Sequence, residues 1–184
     1  MNLPNALTVG RIFLVPLLVV VLLTRFEGRL ILGIRKELVG AAIFGIASLT
    51  DALDGYLARR RKQITTLGQL MDPLADKLLI TAALLSLVQL AQVPAWMAAV
   101  LIGREFAVTV LRSIAHDRGI VISASPLGKL KMLAEVIAIL ALILGQDHLQ
   151  QFYVIGIIAL WIAMITATVS GIDYYLRYAR ATTA

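Results

Sequence analysis

The chain has 184 residues, of which 60% are hydrophobic and 15% charged, with a formal net charge of +6. Soluble domains run near half apolar and a quarter charged, so this balance and a mean hydropathy of +0.89 exclude an ordinary water-soluble globule. The absence of cysteine excludes disulfides and thiolate metal sites. The basic residues sit between apolar segments, where they set membrane topology, so no nucleic-acid partner is expected.

In chain order, six apolar stretches are expected as helices, because an open strand cannot satisfy its backbone in lipid. They run over 7–24, 38–59, 68–91, 94–115, 127–144 and 152–174. Residues 152–172 carry no charge and are long enough to cross about 30 Å of hydrocarbon. The first stretch has neither a preceding basic region nor a small-x-small cleavage site, so it is expected to be a retained span. Connections are short, with no linker or repeat. The expectation is an all-α integral membrane protein: one domain over 1–184, six transmembrane helices in one bundle, and a polar cavity facing the cytoplasm.

Orientation follows from Lys and Arg. Arg59, Arg60, Arg61 and Lys62 follow the second stretch; Arg112, Arg118, Lys129 and Lys131 flank the fourth connection; Arg177 and Arg180 lie in the tail. The third connection (Gln89, Gln92) and the fifth (146–151) have neither residue type. The positive-inside rule then places both termini on the cytoplasmic side of the cell's inner (plasma) membrane, in a multi-pass arrangement. The first connection is a misfit: Arg25, Arg29, Arg35 and Lys36 would lie outside, offset only in part by Glu27 and Glu37.

With helix direction alternating, the intramembrane charges fall at one end. Arg11 is early in the first helix, Asp51 and Asp54 late in the second, and Asp72, Asp76 and Lys77 early in the third. Arg104 and Glu105 lie in the later part of the fourth, Lys129, Lys131 and Glu135 early in the fifth, and Asp173 late in the sixth. A charge deep in lipid costs at least about 2.5–3.5 kcal/mol, so these groups must face a cavity or each other. Snorkelling to the interface suits long Lys and Arg stems, but not four short Asp side chains.

On a helix Asp51, Asp54, Gly55 and Ala58 share one stripe, and Asp72 and Asp76 are spaced i, i+4. Four convergent carboxylates repel unless cations join them, and oxygen-only donors suit hard ions. Two divalent cations, Mg²⁺ or Mn²⁺, would balance the charge and clamp both oxygens of a displacement at phosphorus. Gly55 and Ala58 keep the stripe small enough for phosphates to approach the backbone.

The run from Asp51 to Asp76 resembles, at every fixed position, the D-x2-D-G-x2-A-R-x8-G-x3-D-x3-D signature of the CDP-alcohol phosphotransferases. The resemblance implies a six-helix membrane enzyme, usually a homodimer, with a bimetal site. It implies that Asp51, Asp54 and Asp72 hold metal and that Asp76 both touches metal and serves as the base on the acceptor hydroxyl. Gly55, Ala58, Arg59 and Gly68 fall on or within the signature that takes the CDP-lipid, with Thr65 as the matching loop hydroxyl. Asn5, Thr8 and Arg11, in an opening segment that also resembles the family, are expected to help hold the nucleotide.

The acceptor is suggested by Arg104, Arg112, Arg118, Lys129 and Lys131. Inositol or serine would not need so many cations, whereas Arg and Lys grip a phosphate strongly in a partly dry site. Gly103-Arg104-Glu105-Phe106, the Arg112 region and Ser125-x2-Gly128-Lys129-x-Lys131 resemble the branch of the family that uses sn-glycerol 3-phosphate as acceptor and CDP-diacylglycerol as donor. Inositol phosphate or phosphatidylglycerol is the alternative acceptor, and an ion or proton transporter the alternative class; midplane charges and repeats would mark the latter. Ser125 and Pro126 are expected to cap and start the fifth helix. Glu105 is expected either to pair with Arg104 or to act as a plain counter-charge. His116 and His148 are expected in polar connections, and Trp96 and Trp161 as interface or lipid-facing anchors.

Overall fold

The computed structural model describes residues 3–24, 30–31, 33–61, 66–120, 126–145 and 149–183, with side chains described outside 3–9, 30, 51–61, 66–76 and 183. Among them are six helices: α1 Leu3–Leu23, α2 Lys36–Arg61, α3 Thr66–Gln89, α4 Ala95–Asp117, α5 Pro126–Leu144 and α6 Gln150–Thr183. Each expected stretch is helical, with ends displaced by a few residues except at α6. That helix continues well past the apolar run, where the Arg177 Nη2–Asp173 Oδ2 pair at 2.9 Å spans one turn of it.

An element not expected from the sequence lies between α1 and α2. Strands β1 (Leu30–Ile31) and β2 (Ile34–Arg35) form an antiparallel hairpin with Ile31 opposite Ile34. Gly33 occupies φ +81°, the left-handed region a tight turn needs. Lys36, counted among the misfit charges of this connection, is the first residue of α2 and is buried. Its Nζ donates to the Leu22 carbonyl at 3.0 Å. The cation thus closes the C-terminus of α1, where helix carbonyls lack partners and the dipole is negative. Arg25 and Arg29 lie outside the described residues.

The last turns of α3 and α4 share one device. Beyond α4, Gly119 at φ +72° donates its N–H to His116 O at 2.9 Å, and Ile120 donates to Ala115 O at 2.8 Å. This is the Schellman arrangement, which satisfies carbonyls at a helix end. Beyond α3 the same pair of bonds runs from Ala91 to Val88 O and from Gln92 to Leu87 O, but with Ala91 at φ 57° where glycine is the usual choice. His116 therefore sits in the last turn of α4, not in a connection as expected, because the helix runs to Asp117. His148 and Ser125 lie outside the described residues; Pro126 does open α5.

The core is apolar: Leu18 and Leu22 of α1, Phe44 of α2, Leu84 and Leu87 of α3, Leu101 of α4, Ile139 and Leu142 of α5 and Leu160 of α6 are all fully buried. Helices α5 and α6 pack along much of their length. A Cβ at Gly145 would lie 2.5 Å from Tyr153 N, and one at Gly156 would lie 3.0 Å from Leu142 N, so glycine is what lets these backbones approach. The outward faces are apolar too. Along α6, Ile158, Ile165, Val169 and Ile172 are exposed while Ala163, Ala167 and Ser170 are buried. Among the described residues, 150–182 is the one helix that is both long and apolar enough to cross a membrane, with a mean hydropathy of 2.3 over an 18-residue stretch of it.

Candidate active site

Side-chain contacts show which helix ends lie together. Lys77, in the first half of α3, donates from Nζ to Thr109 Oγ1 of α4 at 2.5 Å. Lys131, near the start of α5, reaches Glu105 of α4, and Arg104 and Arg112 of α4 reach Ser170 and Tyr174 late in α6. The polar residues of four helices thus meet at one end of the bundle. Trp96 and Trp161 mark another part of it: their rings pack edge to face at 6.0 Å, and both are exposed.

At the polar end lies a cleft of about 260 Å³. Its walls include Lys77 and Thr81 of α3, Arg104, Glu105 and Arg112 of α4, Gly128, Lys129, Lys131 and Glu135 of α5, and Tyr174 of α6. Among the described residues, five basic side chains against two carboxylates make its walls cationic. Of the five residues expected to bind an acceptor phosphate, Arg104, Arg112, Lys129 and Lys131 line this cleft. Arg118 does not: it is the exposed C-cap of α4, and the Gly119 turn ends the helix there.

A hydrogen-bonded network crosses one wall. Glu105 Oε1 accepts from Arg104 Nη1 at 2.8 Å and from Lys131 Nζ at 2.6 Å. Lys131 also pairs with Glu135 Oε2 at 2.5 Å, one turn along α5. Arg104 Nε donates to the Ala167 carbonyl at 3.1 Å and Nη2 to Ser170 Oγ at 2.6 Å. Of the two expectations for Glu105, the pairing with Arg104 is the one observed. Lys77 and Glu135 were expected among the charges facing the cavity but without a binding role, and Ser170 and Tyr174 were not expected there. Lys77 had a visible signal, since it follows Asp76 directly; Ser170 and Tyr174 had none, because an isolated hydroxyl in an apolar stretch is commonplace.

The aspartate signature lies at α2 and α3. Asp51, Asp54, Gly55, Ala58 and Arg59 fall in the unbroken second half of α2, and Gly68, Asp72 and Asp76 in the first half of α3, with α2 and α3 in contact. The backbone therefore keeps the two carboxylate pairs on touching helices. The side chains of these residues, all of Thr65, and the side chains of Asn5 and Thr8 on α1 lie outside the described residues. Arg11 of α1 is described and is only 1% exposed, a depth at which an arginine needs a polar environment. An oxygen-only set of four aspartates on adjoining helices is chemically suited to hard divalent cations.

Comparison with known proteins gives the family. The profile of the CDP-alcohol phosphatidyltransferase family matches residues 1–169. A Bacillus subtilis (strain 168) protein named CDP-diacylglycerol–glycerol-3-phosphate 3-phosphatidyltransferase is 45% identical over 183 residues, covering 95% of this chain and 93% of its own length. A protein of the same name from Rickettsia typhi is 36% identical over 176 residues, covering 95% of each chain. With the signature intact on two adjoining helices and the likeness spanning nearly the whole length, this chain belongs to the CDP-alcohol phosphatidyltransferase family.

Proposed function

We propose that this chain transfers the phosphatidyl group of CDP-diacylglycerol to sn-glycerol 3-phosphate, giving phosphatidylglycerol phosphate and CMP, as the names of its relatives say of them. The observation that carries the reading is the cationic cleft. Lys77 lines it, and Lys77 is the residue after Asp76, so a phosphorylated acceptor has a berth one residue from the last carboxylate of the signature. The acceptor's primary hydroxyl oxygen bonds to the phosphorus that bears diacylglycerol. The bond from that phosphorus to the bridging oxygen breaks, and CMP leaves with that oxygen. Asp76 takes the hydroxyl proton.

Asp51, Asp54, Asp72 and Asp76 would hold two divalent cations, Mg²⁺ or Mn²⁺. When bound, these supply neutralisation of the pyrophosphate charge and acidity to the hydroxyl. Gly55 and Ala58 leave room on α2 for phosphate oxygens, and Arg59, Thr65, Gly68, Asn5, Thr8 and Arg11 hold the nucleotide side of the donor. The remaining helices cross the membrane with α6, both termini and the cleft face the cytoplasm, and the single domain works as a homodimer. The apolar outward faces of the helices support the spans.

One assay tests the chemistry. Purified full-length protein in detergent receives CDP-diacylglycerol and Mg²⁺, is offered glycerol 3-phosphate, inositol, inositol phosphate, serine or phosphatidylglycerol, and CMP release is followed. Glycerol 3-phosphate alone is expected to support turnover, and EDTA to abolish it. Turnover with only a non-phosphorylated alcohol would overturn the acceptor; undiminished release after chelation would overturn the metal site.

A further inference from the structure

The basic residues of the cleft are not equivalent. Arg104 is held on three sides, by the Ala167 carbonyl, Ser170 Oγ and Glu105 Oε1. Its stem is boxed in as well, since a Cβ on Gly171 would sit 3.4 Å from Arg104 Cγ. Lys131 is 3% exposed and divides its ammonium between Glu105 and Glu135. Among the described contacts, these two cations and two carboxylates match in charge and join α4 to α5 and, through Arg104, to α6. Arg112 and Lys129 differ on every count. Both are exposed. Among the described residues, Lys129 has no hydrogen-bond or ion-pair partner. Arg112 rests its guanidinium 5.7 Å from the centroid of the Tyr174 ring, and its Nε lies 3.4 Å from the Tyr174 hydroxyl, so the aromatic supports the cation without neutralising it.

We infer that Glu105 is a positioning residue whose charge locks Arg104 and Lys131 into the wall of the cleft, leaving Arg112 and Lys129 as the pair that contacts the acceptor's phosphate. The inference rests on the reading that the acceptor is phosphorylated. A buried cation already matched by a carboxylate has little to offer an incoming anion, whereas an exposed one beside a neutral ring keeps its full charge for it. Replacing Glu105 by glutamine keeps shape and an acceptor oxygen but leaves the wall one positive charge in excess. That excess competes for the acceptor's phosphate and draws it away from the reacting phosphorus.

The test is steady-state kinetics of the full chain in detergent, using whichever acceptor the wild type turns over, with melting temperature measured alongside. Arg112→Ala and Lys129→Ala, at exposed positions, should each raise the acceptor KM at least tenfold, with the KM for CDP-diacylglycerol and the melting temperature unchanged. Glu105→Gln should lower kcat at least tenfold without raising the acceptor KM. Adding Lys131→Met to Glu105→Gln restores charge balance, with Arg104 and Glu135 remaining, and should recover part of the lost kcat, a coupling that a purely structural loss would not show. If either alanine variant leaves the acceptor KM unmoved, or the double variant is slower than Glu105→Gln, the division of roles is wrong. A wild type that turns over only a non-phosphorylated alcohol instead defeats the acceptor reading itself, before any variant is compared.

Discussion

At the residue scale, a side chain's meaning depends on what answers its charge or its backbone angle. Asp76→Asn replaces the proposed base by a near-isostere that cannot take a proton. Turnover should fall about 10²–10⁴-fold, the usual weight of general base catalysis, with the melting temperature held. CMP release at the wild-type rate would remove Asp76 from the base role. Ala91 offers a test unconnected with chemistry. Its φ of 57° carries a Cβ in the left-handed region, where the penalty is about 1–2 kcal/mol, partly offset by the entropy glycine loses on folding. Ala91→Gly should therefore stabilise the protein by about 0.5–1 kcal/mol, read as a higher melting temperature in detergent.

At the scale of the helix, the ends carry as much information as the middles. Lys36 joins the start of α2 to the end of α1 through the Leu22 carbonyl. Lys36→Met should cost about 1–3 kcal/mol, since a buried carbonyl loses a charged donor. The loss should appear in melting temperature alone, with activity per folded molecule intact. The middles of the six helices were legible in the sequence because hydropathy persists over membrane-length runs. The 30–35 hairpin was not, because two-residue strands are too short to show an alternating pattern. The end of α6 was missed because charge reads as a boundary, while Asp173 and Arg177 here support the helix instead. In the cleft, residue types and their common end were readable from alternating helix direction. Which cations are neutralised was not, because Ser170 and Ala167 meet Arg104 only through the packing of α4 on α6. Arg118 shows the same limit, since its exclusion depends on the turn at Gly119.

At the scale of the whole molecule, orientation is the property that topology rules reach and contacts alone do not. The chain has no cysteine, so any introduced thiol is the only one to label. Gln151→Cys, at the exposed start of α6, should react with an impermeant maleimide on intact cells, and Ala181→Cys only after permeabilisation. The reverse pattern would turn the bundle over. The edge-to-face ring pair has a practical consequence of its own. Trp96 and Trp161 are the only indoles in the chain, and neither lines the cationic cleft. Ultraviolet emission from this protein thus watches a separate patch of the bundle. It will register melting of α4 from α6, yet stay nearly silent while a substrate comes and goes, and a titration followed by that glow would mistake occupancy for nothing at all.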